Sequence, residues 1–254
     1  MNILLFYSLK YQGEYQKISQ ALKEKEYISL ESYQEAINNL PYKYISLLDK
    51  EYPEKLKKID MPPYVLYYKG NIDLLKENKF LSIVGSRAFT SFGKASVFQI
   101  VPGLVENDIT IISGLAKGID SFAHQATLKS KGKTIAILGS GIEEVYPKEN
   151  SELQKDVADL GLIISEYPGT SLPKQEHFPM RNRIIAGLAN VIFVVEAALK
   201  SGTMITVRYA LQDGKEVCCL PSSYLKKSGC NQLIKEGAIL VEDYQDIIEL
   251  FPNY

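Results

Sequence analysis

From residue 80 onward, short β-branched apolar runs alternate with polar-faced stretches of about ten to fifteen residues, and that alternation leaves few folds open. The runs are FLSIVGS, DITIISG, KTIAILGSG, GLIISEY, NVIFVVEA, KEVCCLP and GAILVED. Each is apolar through its centre rather than at every second position, which marks strands buried on both faces. Such strands joined by helix-length segments build an α/β Rossmann-like domain, a mostly parallel sheet with helices on both faces. Several runs close on small residues: Gly85-Ser86, Ser113-Gly114 and Gly139-Ser140-Gly141, with Ser201-Gly202-Thr203 shortly after VVEA. Loops at the carboxyl ends of parallel strands line the ligand crevice, and glycine there admits a ligand closely and frees amide donors for an anion.

Residues 1–61 read differently. EYQKISQALKEKE, SLESYQEAINNL and YKYISLLDKEYPEKLKKI are short amphipathic stretches, which predict a small helical N-terminal subdomain suited to packing and helix-mediated contacts. Pro62-Pro63 stops it, a strand-like aromatic run leads to Gly70-Asn71, and residues 62–254 form the second domain. The apolar start of the chain has no basic flank or small-residue cleavage site and is too short to span a membrane. Cys218, Cys219 and Cys230 have neither metal-ligand spacing nor a disulfide framework, so a cytoplasmic location is expected. A net charge of −1 and a pI near 6.2 exclude a protein that coats polyanions by bulk charge. Any nucleic-acid contact must come from a local patch.

Arginine usage points to that patch. Of 29 basic residues only four are arginine: Arg87 in IVGSR, Arg181 and Arg183 in FPMRNR, and Arg208 in SGTMITVRYAL. The guanidinium is a planar fork that grips phosphate bidentately and stacks on rings, which lysine cannot do. The segment GTSLPKQEHFPMRNRIIAGL delivers Lys174, His177, Phe178, Arg181, Asn182 and Arg183 together where a helix begins. Basic residues interleaved with an aromatic suit an unpaired strand, with Phe178 as the stacking face. Arg208 falls on the following helix, where a structural ion pair is expected. A dinucleotide fingerprint fails, because Glu144 stands where a third glycine would follow Gly139 and Gly141. Asp120 reads as the cap of a helix starting at Ser121, His124 as a packed histidine, and His177 as flanking the site. Glu166 and Glu196 end strands and are expected to orient arginines by ion pairing.

The order of motifs resembles the DNA-processing protein A (DprA/Smf) family. The matching text is PPYVLYYKGN, IVGSR, SGLAKGIDSFAHQATL, TIAILGSGIEEVYPKEN, LIISEYPG, FPMRNRIIAGL, VVEA…SGTMITVRYAL and GCNQLIKEGA, nearly continuous from residue 62 to about 240. The resemblance implies a non-catalytic Rossmann-like core that binds single-stranded DNA, forms a homodimer and helps load RecA recombinase, supporting DNA uptake and recombination. It implies no cofactor, no metal and no membrane partner. The DNA-contacting positions carry over to Arg87, Lys148, Lys174, Phe178, Arg181, Asn182 and Arg183, with Gly114, Lys117, Gly118, Gly139 and Gly141 shaping the pocket. Lys117 stands where the family usually has arginine, and VCCLPSS lacks the family's glycine after Pro221. A short form without the C-terminal winged-helix domain is expected, with dimerisation through Cys230–Leu240. About five phosphate contacts would give a logarithmic salt slope of about −3.5. The competing reading is a nucleotide-binding Rossmann-like hydrolase of the phosphoribohydrolase type, with Glu166 or Glu196 acting on the sugar.

Overall fold

The computed structural model describes residues 2–37, 40–223 and 227–251. The N-terminal part comprises helices α1 (Ile3–Lys10), α2 (Tyr15–Glu24) and α3 (Leu30–Ile37), strand β1 (Lys43–Ser46), the short helix α4 (Glu54–Lys57) and strand β2 (Val65–Gly70). The alternation then runs β3 (Phe80–Val84), α5 (Ser91–Glu106), β4 (Thr110–Ser113), α6 (Ile119–Lys129), β5 (Thr134–Gly141), α7 (Ser151–Leu160) and β6 (Leu162–Tyr167). It continues through α8 (His177–Leu188), β7 (Val191–Val194), α9 (Gly202–Gln212), β8 (Glu216–Cys219), α10 (Gly229–Lys235), β9 (Ile239–Leu240) and α11 (Tyr244–Ile248). All seven apolar runs are strands.

The strands form one sheet in the order β1-β2-β6-β5-β4-β3-β7-β8-β9. Only the β1–β2 and β2–β6 pairings are antiparallel; the rest are parallel. The chain winds outward from β3 through β4, β5 and β6, then returns across the sheet to β7 on the other side of β3. That reversal opens a crevice between the loops after β3 and β7, the place where open α/β sheets receive ligands.

Alternate residues of each strand serve opposite layers, as a two-residue period requires. Phe80 and Val84 pack with Ile184, Leu188 and Val207 of α8 and α9, while Leu81 and Ile83 pack with Val97, Leu104 and Ala123 of α5 and α6. A third cluster joins Leu4 and Leu5 of α1 to Val65, Tyr67, Leu138 and Ile163, so the first helix is part of the core of the sheet. Among the described residues no helix is long and apolar enough to cross a membrane.

One stretch departs from the helical expectation. Residues 43–46 are a strand whose register runs from Lys43 opposite Tyr68 to Ser46 opposite Val65. The apolar spacing in YKYISLL fits a helix and a strand equally, and the partner strand at 65–70 decides between them. Asp49 ends it by accepting from the Ser46 amide at 2.7 Å. The sheet therefore begins before residue 62. Ser222, next after Pro221, is held by Asn231, which bonds both its amide and its carbonyl at 2.8 Å.

His124 is packed, as expected. Thr134 Oγ1 donates to the Ile111 carbonyl at 3.0 Å and so accepts from His124 Nδ1 at 2.7 Å, which sets a neutral tautomer protonated at Nδ1. Burial, aided by the charge of Arg181, pushes its pKa from 6.5 down to about 3. The folded chain refuses a proton that the unfolded chain accepts, so this site contributes stability above pH 6.5 and loses it as pH falls towards 3. His124→Asn is expected to flatten the dependence of unfolding free energy on pH between 6 and 4, by up to about 1.4 kcal/mol per pH unit. Urea denaturation across that range checks it, and an unchanged slope refutes it.

Candidate nucleic-acid interface

The first turns of α8 lie across the carboxyl ends of the central strands, and Arg181 is anchored beneath them. It is 5% exposed. Its Nη1 donates to the carbonyls of Gly114 at 2.5 Å and Ile137 at 2.6 Å, and its Nε to Asn182 Oδ1 at 3.0 Å. Burial pushes its pKa down to about 10, opposed by Asp120 and reinforced by Arg87, so it stays charged at neutral pH. Glycine at 114 is what lets it in, since a methyl group there would overlap the guanidinium. Glycine at 139 does the same for the ring of Phe178. These two glycines therefore make room for side chains that form the site, rather than for a ligand backbone. Gly118 acts through its backbone instead, since its φ of +89° turns the β4–α6 loop against the Ser86 carbonyl, where no Cβ fits. Gly141 packs against the Gly169 carbonyl. Neither Gly118 nor Gly141 lines the cavities described below.

Arg183, two residues on, belongs to the interior. It is 2% exposed, and its Nη2 lies 2.6 Å from Glu166 Oε1 while Nη1 donates to the Met180 carbonyl. The Tyr15 ring of α2 covers it at 5.6 Å. Burial alone would lower its pKa, but the charge and hydrogen bond of Glu166 override this and hold it above the ordinary value.

The accessible surface is built from other groups. Arg87 is exposed on the loop after β3, and its guanidinium stacks over Phe178 at 5.2 Å. Phe178 in turn meets Tyr146 at 5.6 Å between centroids. Arg87, Lys117, Gly139, Tyr146, Phe178 and Arg181 line a cavity of about 50 Å³. A larger one of about 460 Å³, sharing Arg87, Phe178 and Arg181, fills the crevice between the β3 and β7 loops. Lys117 and Lys148 are exposed, the latter directly after Tyr146-Pro147 at the rim. Lys174 is exposed but ion-paired to Glu14 of the N-terminal region at 2.9 Å.

The structure thus brings Arg87, Lys117, Gly114, Gly139, Phe178, Arg181 and Asn182 to one pair of cavities, and leaves Arg183 outside them. Arg183 was expected to grip phosphate; its fork is instead taken by Glu166 and a carbonyl. Asn182 acts as a bridge, accepting from Arg181 and donating to the Gly202 carbonyl at 3.2 Å. Other expectations change as well. The helix at 119 is capped by Gly118, not Asp120, whose buried carboxyl takes backbone hydrogen bonds from Gly114 and Ala116. Among the described residues Glu196 pairs with no arginine; it receives the amide and hydroxyl of Thr90 at 2.9 and 2.5 Å and so holds the Arg87 loop. His177 is buried and stacks on Tyr167 at 3.8 Å. Arg208 is exposed on α9 with no ion-pair partner among the described residues. Tyr146 is a site residue that sequence reasoning missed; its position beside Pro147 in the EVYPK loop was the available signal.

Comparison with known proteins bears on this arrangement. A family model described as DNA recombination-mediator protein A matches residues 43–252. The chain is 47% identical over 208 residues to DNA processing protein DprA of Streptococcus pneumoniae, covering 81% of this chain and 73% of that protein. An X-ray structure of DNA processing protein A from the same species superposes with a TM-score of 0.82 at 38% identity, over 100% of this chain and 94% of that one. The Helicobacter pylori protein, solved for its single-stranded DNA binding mode, has a TM-score of 0.75 at 29% identity, over 83% of this chain and 95% of that one.

The buried pair generates a stability test. Glu166→Gln leaves the Arg183 charge without its counter-ion and should destabilise the fold by about 3–5 kcal/mol. Adding Arg183→Met removes the orphaned charge and should recover a large part of that loss. Urea unfolding of the two variants checks this; a double variant no more stable than the single one refutes the ion-pair account.

Proposed function

The chain belongs to the DNA recombination-mediator protein A family, and on that premise we propose that it binds single-stranded DNA across the carboxyl ends of its central strands. The observation that carries the proposal is the exposed Arg87 guanidinium stacked over Phe178, lining the same cavities as the buried charge of Arg181. A cation and a ring face offered together suit a phosphate and its neighbouring unpaired base, and a duplex presents no free base to that ring. Because phosphates and ring faces are read rather than base edges, sequence preference is weak. The role is binding without turnover. Three groups that acid–base chemistry could use are engaged in the fold: Glu166 with Arg183, Glu196 with Thr90, and His124 with Thr134.

The downstream role we propose is delivery of the bound strand to RecA recombinase in the cytoplasm, in DNA uptake and recombination. Homodimerisation is proposed through the segment 230–240. Cys230 and Leu233 belong to the core, which leaves Leu240 on the edge strand β9 as the exposed apolar residue of that segment. Leu240→Asp should then shift the sedimentation coefficient to that of a monomer.

Of the cations expected at the site, four hold no internal ion pair among the described residues: Arg87, Lys117, Lys148 and Arg181 with its free Nη2 edge. The logarithmic salt slope for an oligothymidylate is therefore about −2.8, shallower than the five-contact estimate. A slope near zero rules out the electrostatic contribution. Phe178→Ala should lose about 1–3 kcal/mol of affinity, or about 5- to 150-fold, in fluorescence anisotropy. Reconstituted RecA loading onto strands coated with single-strand binding protein tests the partner. Equal loading by wild type and Phe178→Ala would sink that role.

A further inference from the structure

The crevice between the β3 and β7 loops is larger than binding at Arg87 and Phe178 requires, and its far wall is the start of α9. We infer that this wall is a phosphate site: the first turn of α9, with the hydroxyls of Thr203 and Thr206, holds the phosphate of a nucleotide.

Three independent features converge. The crevice is the point where the strand order reverses, and its volume of about 460 Å³ accommodates a nucleotide unit. At α9, Ser201 does not cap the helix; its hydroxyl donates to the Ala198 carbonyl at 3.0 Å. The amides of Gly202 and Thr203 have no acceptor among the described residues, whereas the Met204 amide bonds the Ser201 carbonyl. An eleven-residue helix thus presents uncapped donors and the positive end of its dipole to the cavity. Thr203 and Thr206 also line it, three residues apart on one helical face. They are 8% and 2% exposed, and neither hydroxyl has a hydrogen-bond partner among the described residues. Neither oxygen is sealed inside the protein, so two unbonded hydroxyls on the cavity wall can meet an acceptor-rich guest.

The surroundings fit such a guest. Arg87 and Arg181 supply positive charge on the facing side, and Val84, Ile185 and Ile205 give apolar surface for a sugar or base. Asp120 also lies in the lining; its carboxyl is bonded by loop amides and faces the charge of Arg181, which confines an anion to the α9 side. Asn182 fixes the geometry by tying Arg181 to the Gly202 carbonyl. The phosphate has two sources, a phosphodiester of the bound strand or the 5′-phosphate of a free nucleotide. The first rests on the strand-binding reading above; the second does not.

The test is Thr203→Asp in the full chain, with Thr203→Val beside it. A carboxylate in the first helical turn favours the helix, so Thr203→Asp should unfold at the wild-type Tm or above while occupying the anion site itself. Binding is read by calorimetry with two probes, thymidine 5′-monophosphate and a dodecathymidylate without terminal phosphates. The inference expects Thr203→Asp to lose at least tenfold, and Thr203→Val at least threefold, for one or both probes. Loss for the dodecamer assigns the site to a strand phosphodiester, and loss for the monophosphate alone assigns it to a free nucleotide. Retention of both probes within twofold overturns the inference. In that case a dodecamer affinity still sensitive to Phe178→Ala leaves the strand-binding reading standing.

Discussion

A guanidinium stripped of water destabilises a fold by several kcal/mol unless its donors and charge are matched, and this chain buries two of them, separated by one residue, on α8. The two are matched in different ways, and much of the architecture follows. Arg181 is satisfied by the Gly114 carbonyl just after β4, the Ile137 carbonyl within β5, and Asn182, so the sheet is fastened to α8 from beneath. Arg183 is matched in charge by Glu166 at the end of β6 and shielded by Tyr15 of α2, although its Nε has no hydrogen-bond partner among the described residues, so the N-terminal helices are fastened to the same point. Sheet, crossing helix and N-terminal region thus meet at one short stretch of α8. Removing either partner leaves a buried donor set unmatched, which makes this stretch a cooperative node.

What the node positions is the exposed surface. With α8 clamped, Phe178 lies over Gly139, and its face is available to Arg87 and Tyr146. Glu196 steadies the Arg87 loop through Thr90, the N-cap of α5. Arg87 and Phe178 then stand between two cavities, the smaller over β4 and β5 and the larger over the strand-order reversal. The buried charge of Arg181 serves both from below, where low exposure limits screening by salt. A nearly neutral chain can in this way present a strongly positive crevice, because the net charge of −1 is spread over the rest of the surface.

Legibility in the sequence differed by element. Six of the seven apolar runs were strands because a segment apolar at nearly every position lies between two covering layers, whereas β9 is an edge strand with Leu240 exposed. The strand at 43–46 was not legible, because four residues carry too little period to separate helix from strand without a partner. At the site, the rarity of arginine singled out the right segment, and family motifs named the residues. Those signals did not separate Arg181, whose guanidinium lines the cavities, from Arg183, which does not. The glycines were read as openings for a ligand, whereas at 114 and 139 they are openings for Arg181 and Phe178. Asp120 looked like a cap because it precedes a helical pattern, but a helix start two residues earlier, at Ile119, put it inside the first turn.

By itself the sequence determined the parallel sheet, the layers on its two faces and the family, all of which are written in local pattern and short motifs. The tertiary structure alone decided which charges meet the solvent. That decision depends on partners far along the chain: Glu166 is 17 residues from Arg183, and Gly114 is 67 from Arg181. A guanidinium's role is set by whether desolvation is compensated at its own position, and compensation is a property of three-dimensional neighbours rather than of the residue or its spacing.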